Sequence, residues 1–209
     1  LTSLNFTGFL TPRFANGTIL SGYNPLSCGA CEWTSIAYKA LPWEYSRTVP
    51  FDMETLISFM GGPARTEARL ETMFIPGLKT GVVGSGGTNG IGSTLFNPGN
   101  EPSFSTPFLY NYLQGRQHKS VMRSHEIVNQ YYLDMRSGLP GNLDAGAIDS
   151  WMIWNMLGRY PVVTQPVYLL LSPWFSDMTL SVGGDKTLRI TVQHLSETSY
   201  FVQSVTVNG

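Results

Sequence analysis

The sequence predicts an α+β chain, with helical hairpins first and antiparallel strands after them. Apolar side chains recur at helical spacing between Asp52 and Gly158, and after Pro161 the period changes to strand-like alternation. A Gly183-Gly184-Asp185 turn then joins two of the alternating runs. Runs of helices followed by runs of strands argue for segregated α+β layers over an alternating parallel sheet. The change of period divides the chain into a helical region over 1–160 and a strand region over 161–209.

Residues 1–47 read as loops, because Pro12, Gly17, Gly22, Pro25, Gly29 and Pro42 break any period before it is established. The first clear helix runs from Asp52 as cap, through Leu56, Ile57, Phe59 and Met60, to a stop at Gly61-Gly62. A second opens at Pro63 with Ala64, Ala68, Leu70 and Met73 as its apolar stripe and Glu67 and Glu71 on its outer face. The glycine-rich stretch 77–100 is a loop. It lacks the third glycine of a dinucleotide fingerprint, since Asn89 stands there, and the lysine of a phosphate loop. Helices resume at about 103–114 and 119–135, the latter carrying Val121, Ile127, Val128, Tyr131 and Tyr132. His125-Glu126 would begin a zinc-protease helix only with His at 129, and Asn129 stands there. A strongly apolar helix is expected over 144–158, with Asp144 as its N-cap and Gly158 and Pro161 ending it. Strands follow at 167–171, 178–182, 188–192 and 201–207. The last runs into Asn208-Gly209, a hairpin dipeptide with no strand behind it, so the β region is expected to be cut short.

Composition narrows the function classes. The chain has 209 residues, 42% apolar, 13% charged, with a formal charge of −1. That is too apolar for a disordered chain and too neutral for a nucleic-acid binder. The charged share is half the usual value of about 25%, so neutral polar groups must wet the surface, as in secreted proteins and proteins that handle sugars. No apolar stretch reaches the roughly 20 residues that cross a bilayer, so no membrane association is expected. The chain starts at Leu1, as a processed or excised segment would. Asn5-Phe6-Thr7 and Asn16-Gly17-Thr18 are glycan acceptors if the chain is secreted. Cys28 and Cys31 are the only cysteines and read as a local disulfide or two inert thiols, because zinc would need two further ligands at matching spacing.

Two loops gather polar groups at the mouth of a helix. Pro98-Gly99-Asn100-Glu101-Pro102 fixes an amide and a carboxylate between prolines, and Gly138-Leu139-Pro140-Gly141-Asn142-Leu143-Asp144 leads into an apolar helix. Taken alone, Asp144 is a cap and Glu101 a solvated loop carboxylate. Together they hold what glycoside hydrolysis needs, two carboxyl groups that can flank a scissile bond. With Asn100 and Asn142 they also offer the oxygen ligands that calcium takes. Trp33 and Trp43 offer ring faces for a sugar, whereas Trp151 and Trp154 sit at core spacing.

Several motifs in order resemble glycoside hydrolase family 92, in particular its fungal members. They are Phe9-Leu10-Thr11-Pro12-Arg13, Trp43-Glu44-Tyr45-Ser46, Val49-Pro50-Phe51-Asp52, Met60-Gly61-Gly62, Gly99-Asn100-Glu101-Pro102, Pro107-Phe108-Leu109-Tyr110-Asn111-Tyr112, Gly138-Leu139-Pro140-Gly141-Asn142 and Gln203-Ser204-Val205-Thr206-Val207-Asn208-Gly209. The resemblance implies a calcium-dependent, inverting exo-α-mannosidase with an (α/α)6 barrel leading into β-sandwich strands, of which this chain carries a later part. It implies that Asp144 is the base holding the attacking water. Asn100 and Glu101 would lie in the substrate and metal loop, with Asn142 and Trp43 also against substrate. The resemblance also exposes a departure. At the position of the family's proton-donating glutamate the chain reads Lys39, and the family's Val-Pro-His-Asp is Val49-Pro50-Phe51-Asp52. Glu32 and Glu44 are the nearby carboxyl groups that could replace the acid. The expectation is therefore a secreted mannosidase relative with impaired catalysis, or a non-catalytic carbohydrate-binding or accessory subunit that acts on an α-mannoside or N-glycan beside a larger protein partner.

Overall fold

The structure, a computed structural model, describes residues 8–28, 31, 33–78 and 92–208. Its helices are α1 (Pro42–Tyr45), α2 (Met53–Phe59), α3 (Pro63–Met73), α4 (Gln117–Tyr131) and α5 (Ala147–Met156), with two 3-10 segments at Glu101–Ser103 and Thr106–Tyr112. Four strands follow: β1 (Arg159–Pro161), β2 (Tyr168–Leu170), β3 (Asp177–Gly183) and β4 (Lys186–Thr191). Helices thus precede strands, as the change of period predicts.

α2 begins as expected, with the Asp52 carboxylate accepting the Thr55 N–H at 3.1 Å. The buried face of α3 differs from the predicted stripe. Leu70 and Met73 are buried, but Ala64 and Ala68 face solvent, and the remaining buried positions are Thr66 and Arg69. Both polar residues are satisfied there. The Thr66 hydroxyl donates to the Gly62 carbonyl, and Arg69 donates to the Gly8 carbonyl while lying over the Phe9 ring. Glu67 and Glu71, expected to face water, turn toward α4, where Arg116, Lys119 and Arg123 pair with them at 2.7 Å. The expected helix at 103–114 is two 3-10 segments, each with a proline, which lacks an N–H donor, as its second residue. α4 buries Val121, Ile127 and Val128 as expected, with Tyr132 just past its end.

The main core joins the Cys28–Cys31 disulfide, Trp43, Phe96, Phe108, Ile148 and Trp151. The disulfide settles the two readings left open for that pair. A second cluster holds Met53, Leu56, Met60 and Leu70 against Leu109, Tyr110 and Leu113. Phe108 stacks on Tyr160 at 4.1 Å and burial pushes that phenol up to about 12. The 3-10 segments therefore seat the strand region as well as the helices.

The described strands form two separate antiparallel pairs. β1 pairs with β2, with Arg159 opposite Leu170, and β3 pairs with β4, with Asp177 opposite Thr191. The predicted turn is present: Gly184 (φ 55°) and Asp185 (φ 57°) are both left-handed, the twist a tight hairpin requires. β1 went unpredicted because its three residues are too short to show alternation. The strand predicted at 201–207 does not form a ladder. Its backbone meets no partner strand among the described residues, and alternation alone cannot supply the missing hydrogen bonds. This segment is held from its start, where Tyr200 stacks on His125 at 4.2 Å and His125 stacks on Trp174 at 4.6 Å.

Candidate functional site

The polar loop at 97–102 is nailed to α1 by one buried carboxylate. Glu44, the third residue of α1, reaches back to the Leu41 N–H at 2.7 Å, and its other oxygen accepts the Ser103 hydroxyl at 2.7 Å. Ser103 in turn accepts the Asn97 N–H at 3.2 Å. Both Glu44 oxygens are thus spent on structure, which removes it as a replacement acid. Glu32 lies outside the described residues.

The same loop then meets the Lys39 turn. The buried Asn100 side chain donates to the Lys39 carbonyl at 3.1 Å, and the Lys39 N–H donates to the Cys31 carbonyl at 3.0 Å. Lys39 is left-handed (φ 59°), so its backbone is fixed from both sides in a conformation that L residues adopt reluctantly. Its ammonium lies 5.7 Å from the Tyr38 ring, and Trp33 stacks on that ring at 4.2 Å.

The second loop is brought against the first at a glycine pair. A Cβ at Gly141 would lie 2.6 Å from the Gly99 carbonyl oxygen, so the two backbones touch only because position 141 has no side chain. Three successive left-handed residues follow: Asp144 (φ 43°), Ala145 (φ 58°) and Gly146 (φ 87°). They displace the start of α5. Its cap is Gly146, with no side-chain cap bond, so Asp144 is not the N-cap that its position suggested. The Asp144 carboxylate is exposed and free of hydrogen bonds and ion pairs among the described residues.

The structure therefore ties Lys39 to the Asn100–Glu101 loop through the Asn100 side chain and brings the loop that bears Asn142 and Asp144 against that loop at Gly99 and Gly141. Glu101, Asn142 and Asp144 are exposed, while Asn100 is buried. Glu101 also borders a cavity of about 380 Å³ walled by Phe104, Leu109, Tyr112, Tyr160 and Val163. Trp43 does not join these loops. It is fully buried, packed on Phe9 at 4.6 Å and beneath the Arg47 guanidinium, so its ring has no face open to a ligand. Arg47 is buried as well and donates to the Trp43 carbonyl, and loss of water around it pushes it down to about 9. Of the sequons, Asn16 is exposed and accepts both the Thr18 N–H and hydroxyl, and Asn5 lies outside the described residues.

The donor chemistry suits calcium, but the number of donors does not. Among the described residues no three His, Cys, Asp or Glu side chains converge. Glu101 and Asn100 supply two of the roughly six to eight oxygens that a calcium ion takes. No step below is routed through the metal.

Sequence reasoning missed the tie from Asn100 to Lys39 and the Trp33–Tyr38 stack. It could have found the structural role of Glu44, because Pro42 at the first helical position with Glu44 two residues later is a capping-box spacing.

Residues 4–209 match the model of the glycosyl hydrolase family 92 catalytic domain. A protein of Arthroderma benhamiae described as an uncharacterized secreted glycosidase is 33% identical over 98% of this chain and 25% of its own length. A solved family GH92 alpha-mannosidase of Bacteroides thetaiotaomicron in complex with mannoimidazole superposes with a TM-score of 0.79 at 25% identity, covering 91% of this chain and 25% of that one. A GH92 inverting mannosidase of the same organism gives 0.71 at 25% identity, over 90% of this chain and 26% of its own. The chain thus spans about a quarter of the length of these relatives.

Proposed function

The chain belongs to glycosyl hydrolase family 92, and from that premise we propose that it handles α-mannosides, with Asp144 as the base that orients the attacking water. The observation that carries this reading is the free Asp144 carboxylate, lifted off α5 by three left-handed residues and presented beside the Asn100–Glu101 loop. An exposed carboxylate with no protein partner is free to hold a water, and aspartate is among the residues that enter the left-handed region most readily. In an inverting glycosidase the base takes a proton from water while that water attacks the anomeric carbon from the face opposite the leaving group. The exposed Glu101 and Asn142 supply hydrogen bonds to sugar hydroxyls, and the buried Asn100 fixes their loop to the Lys39 carbonyl. If calcium takes part as in the family, Asn100 and Glu101 are the described residues that would contribute oxygens to its shell. In this reading residues 1–160 are part of an (α/α)6 barrel and residues 161–209 lead into the β-sandwich.

Among the described residues, no free carboxylic acid stands at the position that the resemblance gives to the proton donor, and Glu32 lies outside them. Lys39 stands at the acid position, and Glu44 is locked to Leu41 and Ser103. General acid catalysis contributes about 10²–10⁴-fold, so cleavage of an ordinary mannoside falls by that order. A second reading follows from the same residues: a secreted, non-catalytic carbohydrate-binding or accessory subunit beside a larger protein, which the Lys39 substitution favours. The exposed Asn16 sequon and the disulfide support an extracellular setting. No helix among the described residues is long and apolar enough to cross a membrane.

The two readings separate in one assay. Mannose release from an α-1,2-linked dimannoside is followed with and without calcium, for the wild type and Asp144→Asn. Slow, calcium-stimulated release that Asp144→Asn abolishes supports the enzyme. Saturable mannoside binding with turnover at background supports the binding subunit, and absence of both overturns the mannoside reading.

A further inference from the structure

We infer that Asn16 carries an N-linked glycan whose first N-acetylglucosamine packs on the Phe14 ring and so completes the surface of the first hairpin. The inference rests on the extracellular setting proposed above and not on the mannoside chemistry. Residues 12–20 form a tight hairpin. Arg13 is bridged to Ile19, the Leu20 N–H donates to the Pro12 carbonyl at 3.0 Å, and the Phe14 N–H donates to the Thr18 carbonyl at 2.9 Å. The Gly17 N–H turns back to the Phe14 carbonyl at 2.9 Å, and its left-handed backbone (φ 89°) makes the bulge by which a three-residue loop follows the twist of its strands. Side chains alternate across such a pair, so Phe14 and Thr18 share one face while Arg13 and Ile19 take the other. Asn16 joins the first face, because its side-chain oxygen accepts the Thr18 hydroxyl at 2.7 Å and the Thr18 N–H at 3.0 Å. Phe14 is 55% exposed and belongs to neither of the two core clusters. The turn therefore fixes an open aromatic ring, an acceptor asparagine and the threonine of its sequon side by side.

Both bonds from Thr18 go to the carbonyl oxygen, so the amide nitrogen of Asn16 is the free end of the side chain among the described residues. That nitrogen is the atom that a sequon offers for modification. The co-reactant in a secretory pathway is an oligosaccharide carried on a lipid diphosphate. The nitrogen bonds to the anomeric carbon of the first sugar and gives up one proton, while the bond from that carbon to the phosphate oxygen breaks with its electron pair leaving on the lipid diphosphate. Transfer needs only an accessible sequon, and the fold then decides where the sugar lies. Here it hangs from a side chain already held on the Phe14 face, so its C–H face covers the ring with little further loss of freedom. Ala15 and Gly17, on either side of Asn16, are too small to keep the sugar off the ring. Covering an aromatic ring that water now wets is favourable. The other sequon has no such ring in its pattern: Ser3 stands two residues before Asn5, where Phe14 stands before Asn16.

The test begins with the chain secreted from a eukaryotic host and glycopeptide mass spectrometry at both sequons. An occupied Asn16 supports the inference. Asn5 occupied with Asn16 bare overturns it and leaves the extracellular setting standing, and both bare overturns the two together. Packing is then read in an Asn5→Gln background, where Asn16 holds the remaining sequon, after an endoglycosidase has trimmed the glycan to its first sugar. The same chain made without glycan in a bacterial periplasm, where the disulfide still forms, is the reference. Each is measured with and without Phe14→Ala, a change at an exposed ring outside the core clusters. A contact of ordinary aromatic size raises Tm by about 2–4 °C when Phe14 is present and leaves it unchanged in Phe14→Ala. Proton NMR supplies a readout that does not depend on stability: the ring current of Phe14 moves the C–H signals of the first sugar upfield, and the signals return to their free positions in Phe14→Ala. An equal gain in Tm with and without the ring, or sugar signals that stay at their free positions in the Phe14 chain, overturns the packing of the sugar on Phe14.

Discussion

Glu44 and Asp144 are both carboxylates, yet the fold treats them in opposite ways. Glu44 is buried, and its two oxygens accept from Leu41 and Ser103. Glu44→Ala strands both donors and lowers stability by about 2–4 kcal/mol, read as a shift in the urea midpoint, with Glu44→Gln intermediate. Asp144 makes no such bonds, so Asp144→Asn leaves the midpoint unchanged and removes whatever turnover exists. The same contrast separates Trp43, lost to the core, from Trp33, which stays open. The capping-box spacing exposes half of the Glu44 role, its bond to Leu41, but the long-range partner Ser103 and the burial of Trp43 leave no mark in the sequence.

At the scale of elements, the helices were legible wherever a cap or a long apolar period spoke for itself: Asp52 ahead of α2, Pro63 opening α3, and the long stripe of α4. The boundary of α5 was not. Aspartate before an apolar run reads as a cap, and only the left-handed run at 144–146 reveals that the helix starts later. The paired loops were legible as motifs, but their meeting at Gly99 and Gly141 depends on a close backbone approach with no periodicity. Gly141→Ala forces a Cβ to within 2.6 Å of a carbonyl oxygen. It lowers stability by about 1–3 kcal/mol, and it weakens mannoside binding more than an exposed control such as Ser150→Ala. Between α3 and α4 the ion pairs give a pH dependence of known sign. Hydrogen bonds from Lys119 and Arg116 hold Glu67 below its usual value, and for Glu71 burial pushes upward but Lys119 and Arg123 outweigh it. Their contribution is complete above about pH 4.5 and is lost as pH falls through the lower folded values. Denaturant titrations between pH 5 and pH 3, as approximate limits, show a shallower decline for Glu71→Gln than for the wild type.

Across the whole molecule, apolar surface is unevenly covered. Phe51 is 64% exposed and Val163 66%, and the two strands of chain are tied by the bond from the Gln165 amide to the Phe51 carbonyl. Exposed apolar groups of this size favour association. Sedimentation of the isolated chain shows concentration-dependent self-association that Phe51→Ser with Val163→Ser reduces. The far end of the chain is held to α4 through His125, stacked between Trp174 and Tyr200. Burial lowers the His125 pKa, so the neutral ring is favoured in the folded state. This contribution is complete above about pH 6.5 and fades as pH falls below it. Protection from hydrogen exchange around Tyr200, taken relative to the intrinsic rate at each pH, falls below that pH in the wild type and stays constant in His125→Phe.

The way Lys39 is anchored has an evolutionary consequence. Cys31 and Asn100 hold its main chain and leave the side chain out of the fastening, so a codon change at this position can exchange one reactive head group for another while the frame persists. Lys39→Glu should fold as the parent does. A change of head group at this address is then a single-step event that leaves the turn's own fastening in place.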